Sequence, residues 1–227
     1  MRYIRKTHYP KKLTEAVNHN ESSFDNMSSE VKKQIRECLL KDQGGLCAYC
    51  MRRIDAESMQ IEHYFPQHPQ DPSLQMEADS KSMQYSNMLA VCNGNKSQAH
   101  RHHFEELTCD QHKGEQLIKV DPQNEAMMLN HIKYSTDGRI YSDDAEIERD
   151  LNEILNLNSD KAHMKENRKS ALESLKAWIG RKYAGKSLSR EDWEQIYEKR
   201  LHAMDADGNF RFDYLGILEN YVKRKMH

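Results

Sequence analysis

Cys47-Ala-Tyr-Cys50, Ile61-Glu62-His63-Tyr-Phe-Pro66, Tyr85-Ser-Asn87-Met-Leu-Ala-Val-Cys92 and Cys109-Asp110-Gln-His112-Lys113-Gly114 follow one another along the chain. The spacing of Cys47 and Cys50 suits a tight turn that aims two thiolates at one tetrahedral ion, and Cys92 with Cys109 can supply the other two ligands. A four-cysteine zinc site of this kind is structural. With all four positions filled by protein, no open position is left for water, so any hydrolysis falls to other groups.

Glu62-His63 is the candidate pair. Met59, Ile61 and Phe65 are expected to line the inner side of a short strand closed by Pro66, with the neighbouring Glu62 and His63 diverging. A histidine facing a phosphodiester can act as general base, since its ordinary pKa of roughly 6.5 leaves it mostly neutral at pH 7. A carboxylate beside it can reach a hard divalent cation.

These four blocks, in this order, resemble the HNH endonucleases with a ββα-metal core. Within that superfamily the chain is most similar to PtuB, the nuclease of Septu-type and retron-associated anti-phage systems. The likeness covers residues 42–121. It implies that His63 activates water and that Glu62 ligates a catalytic Mg²⁺ or Mn²⁺. It also implies that Asn87 braces the loop and orients the base. Asp110 stands where the family's final histidine falls, and an oxygen donor there favours Mg²⁺ or Mn²⁺ over Zn²⁺ at the reaction site. Lys113 is placed to contact a phosphate oxygen, with His112 a substitute ligand. The implied reaction is in-line phosphodiester hydrolysis leaving 5′-phosphate and 3′-hydroxyl ends. The implied partners are a PtuA-type ATPase, a nucleic-acid substrate (DNA first, tRNA second), and a retron reverse transcriptase with its DNA product.

Sixteen residues separate Cys92 from Cys109 and include His100-Arg-His102-His103. This run reads as a solvated loop; the sharper alternative has one of its histidines touching nucleic acid or replacing a cysteine at zinc. An alternative for the whole protein is a non-catalytic zinc-bearing adaptor that recruits partners or nucleic acid. A thioredoxin-like reading of Cys47-x-x-Cys50 needs neither the second cysteine pair nor the ordered residues between and after them. Cys38, beside Val31, Ile35 and Leu39, reads as a core residue.

The 34 Lys and Arg against 36 Asp and Glu give a formal charge of −2. A protein that grips nucleic acid unaided carries a marked positive field, so a partner is expected to supply part of the grip. Basic residues gather locally at Arg2, Arg5, Lys6, Lys11 and Lys12, at Arg52-Arg53, and at Lys223-Arg224-Lys225. No run of about 18 apolar residues is present to span a membrane, and the start Met-Arg-Tyr-Ile-Arg-Lys lacks a secretory signal's apolar core. A cytoplasmic location is expected, where five cysteines fit metal better than disulfides.

The fold expected is α+β and mostly helical, in three regions. Residues 1–41 are a basic arm and helix, with 1–27 irregular and a helix from Ser28 or Ser29 to about Lys41, stopped by Gly44-Gly45. Residues 42–121 are the HNH nuclease core, with a polar loop over 67–84 and a helix beginning near Asp110. Residues 122–227 are a β-hairpin turning at Asp137-Gly138 and a helical, partner-binding region. Its helices carry Ile147, Leu151, Ile154 and Leu155; Met164, Ala171, Leu175, Trp178 and Ile179; Trp193, Ile196, Tyr197 and Leu201; and Leu215, Leu218, Tyr221 and Val222. The last is the preferred docking element. Asp205-Ala-Asp207-Gly208-Asn209 reads as a turn between helices, since it lacks a calcium loop's closing Glu.

Overall fold

Ser28 and Gly44 set the ends of the first long helix. The Ser28 hydroxyl accepts from the Val31 amide, and Gly44 takes the left-handed conformation (φ 60°) that lets its own amide and that of Gly45 close on the last carbonyls. Helix α2 thus runs Ser29–Gln43 and buries Val31, Ile35 and Leu39. Cys38 is half-buried against the same core. The computed structural model describes residues 1–18, 23–96 and 103–226.

The architecture is a mixture of helices and two small two-stranded antiparallel sheets. In the first sheet β1 (Gln60–His63) pairs with β2 (Met88–Val91), placing Glu62 opposite Leu89 and His63 opposite Met88. All of β2 is buried, so its free edge must find partners. The Gln43 side chain supplies them, accepting from the Ala90 amide and donating to the Ala90 carbonyl, both at 2.8 Å. That carbonyl also takes the Ala48 amide, which ties the Cys47–Cys50 turn to the sheet.

The 67–84 segment is not the plain loop that its polarity suggests. It holds α3 (Gln75–Ser82), entered through a 3₁₀ turn at Pro72–Leu74 whose N-cap is Asp71. The expected alternation along β1 also fails. Ile61 is half-buried while Glu62 and His63 are both buried, because polar partners wait for each of them inside.

The start of the chain departs further from expectation. Ile4 is buried with its amide on the Pro122 carbonyl, and the Lys6 ammonium reaches the Met88 carbonyl. The Asp42 carboxylate gathers the Thr7 and His8 amides and the Tyr85 hydroxyl. Helix α1 (Lys11–Asn18) buries Leu13 and Ala16 against α2. The basic segment read as irregular is therefore ordered by the carboxylate and carbonyls that it wraps.

Beyond β2 comes the short α4 (Cys109–Lys113), then α5 (Glu125–His131) and the hairpin of β3 (Lys133–Tyr134) and β4 (Ile140–Tyr141). Its turn needs glycine at 138, where φ is 94° and a side chain would run into the Lys165 carbonyl. Helix α6 (Ala145–Arg149) continues as a π-helical turn over Asp150–Ile154, α7 spans Met164–Lys182, and α8 (Arg190–Gln195) continues as a π-turn over Ile196–Leu201. The segment after it turns back at Asp205, whose carboxylate accepts from the amides of Asp207 and Asn209, as the turn reading expects.

Helix α9 (Leu215–Met226) buries Leu215, Ile217, Leu218 and Val222 against α7 and α8. Of the apolar side chains read from the sequence on this helix, Leu215, Leu218 and Val222 are buried inside the chain and Tyr221 is half-buried. One continuous core joins residues of the amino-terminal arm, the cysteine turn, both sheets and α9. Among the described residues no helix is long and apolar enough to cross a membrane.

Candidate active site and metal centre

The four cysteines come together. Their sulfurs lie within 4.8 Å of one another, and all four residues are buried. Cys50 to Cys92 is 3.7 Å, Cys92 to Cys109 is 3.8 Å, and Cys47 to Cys109 is 3.9 Å. A tetrahedral ion with Zn–S bonds of about 2.3 Å requires sulfur–sulfur edges of roughly 3.8 Å, so these three edges already stand at the separation one zinc ion demands. All are free thiols. Burial works against ionisation of Cys47, but hydrogen bonds from the other three thiols outweigh it and hold its pKa well below the ordinary value.

The local chain explains the convergence. The Cys47 carbonyl takes the Met51 amide, the Cys47 amide donates to the Arg52 carbonyl, and the Arg52 amide points at the Cys50 sulfur at 3.4 Å. The second pair closes across the fold: Cys92 follows β2, and Cys109 opens α4 with a left-handed φ of 55° and its amide on the Leu155 carbonyl. His103 is exposed and contributes nothing to this cluster. His100 and His102 lie outside the described residues. His112 is turned away, with Nδ1 on the Ile154 carbonyl at 2.9 Å and its ring stacked on Phe104. It anchors α4 through Nδ1, and it is not among the residues lining the cleft of Glu62 and Asp110.

Beside the cluster, Glu62, His63, Asp110 and Lys113 line one cleft of about 290 Å³ together with Gln67, Gln111 and Glu115. Glu62 is buried, and its Oε1 receives both the Tyr49 hydroxyl at 3.1 Å and the Lys113 ammonium at 2.8 Å. Its pKa lies well above the ordinary carboxylate value, first through burial and then through the hydrogen bond and charge of Asp110, with Lys113 pulling the other way. Two carboxylates facing one cleft are a donor set suited to a hard divalent cation. Lys113, read from the sequence as a phosphate contact, has its side chain fully enclosed as the counter-charge of Glu62.

His63 is buried, with Nε2 at 2.9 Å from the Ser82 carbonyl and the Phe24 ring edge-on at 4.7 Å. A carbonyl only accepts, so Nε2 carries the hydrogen and Nδ1 is the basic nitrogen. Burial lowers the His63 pKa, opposed by the Ser82 bond and reinforced by Lys113. Asn87 grips the loop that follows: Oδ1 accepts from the Phe65 amide at 2.7 Å, and Nδ2 donates to the carbonyls of Phe65 and Lys81.

No protein-family model matches the chain. A search of characterised proteins finds similarity to "Retron Vc95 putative HNH endonuclease" of Vibrio cholerae serotype O1 biovar El Tor. The two are 26% identical over 151 residues, which cover 64% of this chain and 66% of that protein. The aligned part thus spans just under two thirds of the relative's length.

Two contributors escaped the sequence reading. Tyr49 lies between two ligand candidates and drew no role of its own, and Ser82 acts through a backbone carbonyl, which no residue type advertises. Tyr49 had one available signal, as a large aromatic residue inside a tight cysteine turn that offers its ring only the core.

Proposed function

We propose that this chain is a metal-dependent HNH endonuclease of ββα-metal type, acting on nucleic-acid phosphodiesters. The observation that carries the reading is the meeting of His63, Glu62 and Asp110 in one cleft beside a four-thiol cluster. The similarity to a retron-named HNH protein supports it. In this reading β1, β2 and α4 are the ββα unit, and zinc at Cys47, Cys50, Cys92 and Cys109 is a structural staple. Glu62 and Asp110 would hold Mg²⁺ or Mn²⁺, which when bound supplies charge stabilisation at the phosphate and the departing oxygen.

The chain's own residues do the rest. His63 removes a proton from water at Nδ1 while the Nε2–H bond to Ser82 keeps the ring oriented and stabilises the imidazolium that results. Asn87 fixes the backbone just after His63, so the base cannot drift. Lys113 offsets the charge of Glu62 and holds the carboxylate in place. A negative overall charge leaves substrate grip to be shared, and the partner proposed is a PtuA-type ATPase in a cytoplasmic anti-phage complex, with a retron reverse transcriptase and its DNA product as further members.

The test is cleavage of labelled duplex DNA, single-stranded DNA and tRNA by the purified chain, alone and with the ATPase, in Mg²⁺ or Mn²⁺. Cutting that needs the cation and falls about a thousand-fold in His63→Ala establishes the nuclease and names its substrate. Equal cutting by His63→Ala, or none with the ATPase present, favours the zinc-bearing adaptor.

A further inference from the structure

We infer that Tyr49 is a positioning residue for Glu62, through which the cysteine turn sets how tightly the neighbouring cleft holds a divalent cation. The inference rests on the reading of Glu62 and Asp110 as cation ligands.

Tyr49 is 0% exposed, the largest of the fully enclosed side chains. Its backbone is fixed at both ends. Cys47 and Cys50 flank it as members of the thiol cluster, and the Ala48 amide bonds to the Ala90 carbonyl of β2. Strand β2 in turn pairs with β1, placing Leu89 opposite Glu62. The turn therefore has one rigid path to the carboxylate, and Tyr49 lies on it. Its hydroxyl donates to Glu62 Oε1 at 3.1 Å, and Lys113 donates to that same oxygen at 2.8 Å. Both donors land on Oε1, which fixes the carboxylate plane and leaves Oε2 without either of them. An oriented ligand binds a cation more tightly than one free to rotate, because its rotational freedom is surrendered on folding and not on binding. Losing a supporting hydrogen bond of this kind typically costs between ten- and a hundred-fold in metal affinity, on the order of 1.4 to 2.8 kcal/mol.

The experiment measures Mn²⁺ binding without nucleic acid, by loss of the free-ion paramagnetic resonance signal, on the zinc-loaded chain. Wild type, Tyr49→Phe and Tyr49→Met are compared, with zinc content and melting temperature recorded for each. Phe removes the hydroxyl and little else, and Met fills the space without a donor. We expect both to keep one zinc and to weaken Mn²⁺ binding about tenfold. Unchanged Mn²⁺ affinity with zinc retained overturns the assignment. So does loss of zinc in both variants, since Tyr49 would then serve the cysteine turn alone. A wild-type chain that binds no Mn²⁺ at all removes the carboxylate reading itself before any variant is compared. Wild-type binding that depends on Tyr49 in a protein that cuts nothing upholds the positioning role and counts against the nuclease.

Discussion

Glu62 is a carboxylate placed where water cannot solvate it, so its neighbours must. Lys113 carries most of that duty, and neither side chain reaches solvent appreciably. Removing one partner of a buried pair strands the other. Lys113→Met is therefore expected to lower stability by about 3 kcal/mol in urea unfolding, well beyond the effect of an exposed lysine. His63 adds a pH signature. Burial lowers its pKa in the folded chain, so below roughly pH 6.5 the unfolded chain takes up the proton first. Stability tied to this group is complete above that value and is lost as pH falls through the folded pKa. If His63 is the base of the proposed cleavage, its acid limb should accordingly lie below the ordinary imidazole value, and a kcat/KM profile from pH 5 to 8 would show it. The sequence named these side chains because each falls at its place in an ordered series between and after the cysteines. It did not reveal that Lys113 faces inward, since only the packing of α4 on β1 decides that.

Helix ends were the most legible elements. A cap at Ser28 or Ser29 and a stop at Gly44-Gly45 are readable in the sequence, because a capping hydroxyl and a left-handed glycine are local chemistry. The two differ in consequence. Ser28→Ala removes one hydrogen bond and should cost about 1 kcal/mol. Gly44→Ala forces a side chain into the left-handed region at φ 60° and against the Phe210 ring, so its cost should clearly exceed that of Ser28→Ala. Urea midpoints of the two variants give the order directly. Helices α1 and α3 were not legible. Helix α1 buries only Leu13 and Ala16, and α3 only Ala78 and Ser82, too few apolar positions to declare a period. Tertiary contacts stabilise these helices, so a sequence pattern alone misses them. The π-turns at 150–154 and 196–201 were likewise hidden, since their apolar spacing also fits an ordinary helix.

Across the whole molecule, the four clustered thiols join segments far apart in sequence to one core, and Cys38 stands outside that cluster. A thiol reagent should find one reactive cysteine in the native zinc-loaded protein and five after chelation in denaturant. Four or five reacting in native protein would argue against a closed metal site. The joining of residues 1–18 to the rest could not be read in advance, because a basic, weakly apolar segment looks the same whether it wraps a buried carboxylate such as Asp42 or stays in solvent. The anchoring of α4 has a consequence for synthesis. The amide of Cys109 and the ring of His112 are both held by carbonyls in the turn at Ile154 and Leu155. A polypeptide still emerging from the ribosome, with everything up to Lys113 already exposed, lacks those acceptors. The helix carrying Asp110 then has Glu62 and the other three cysteines to meet but lacks two of its anchors, and the cleft is not fully braced until translation has passed Leu155. If the chain is the nuclease proposed, its cleft is thus among the later parts of the molecule to be completed as it is made.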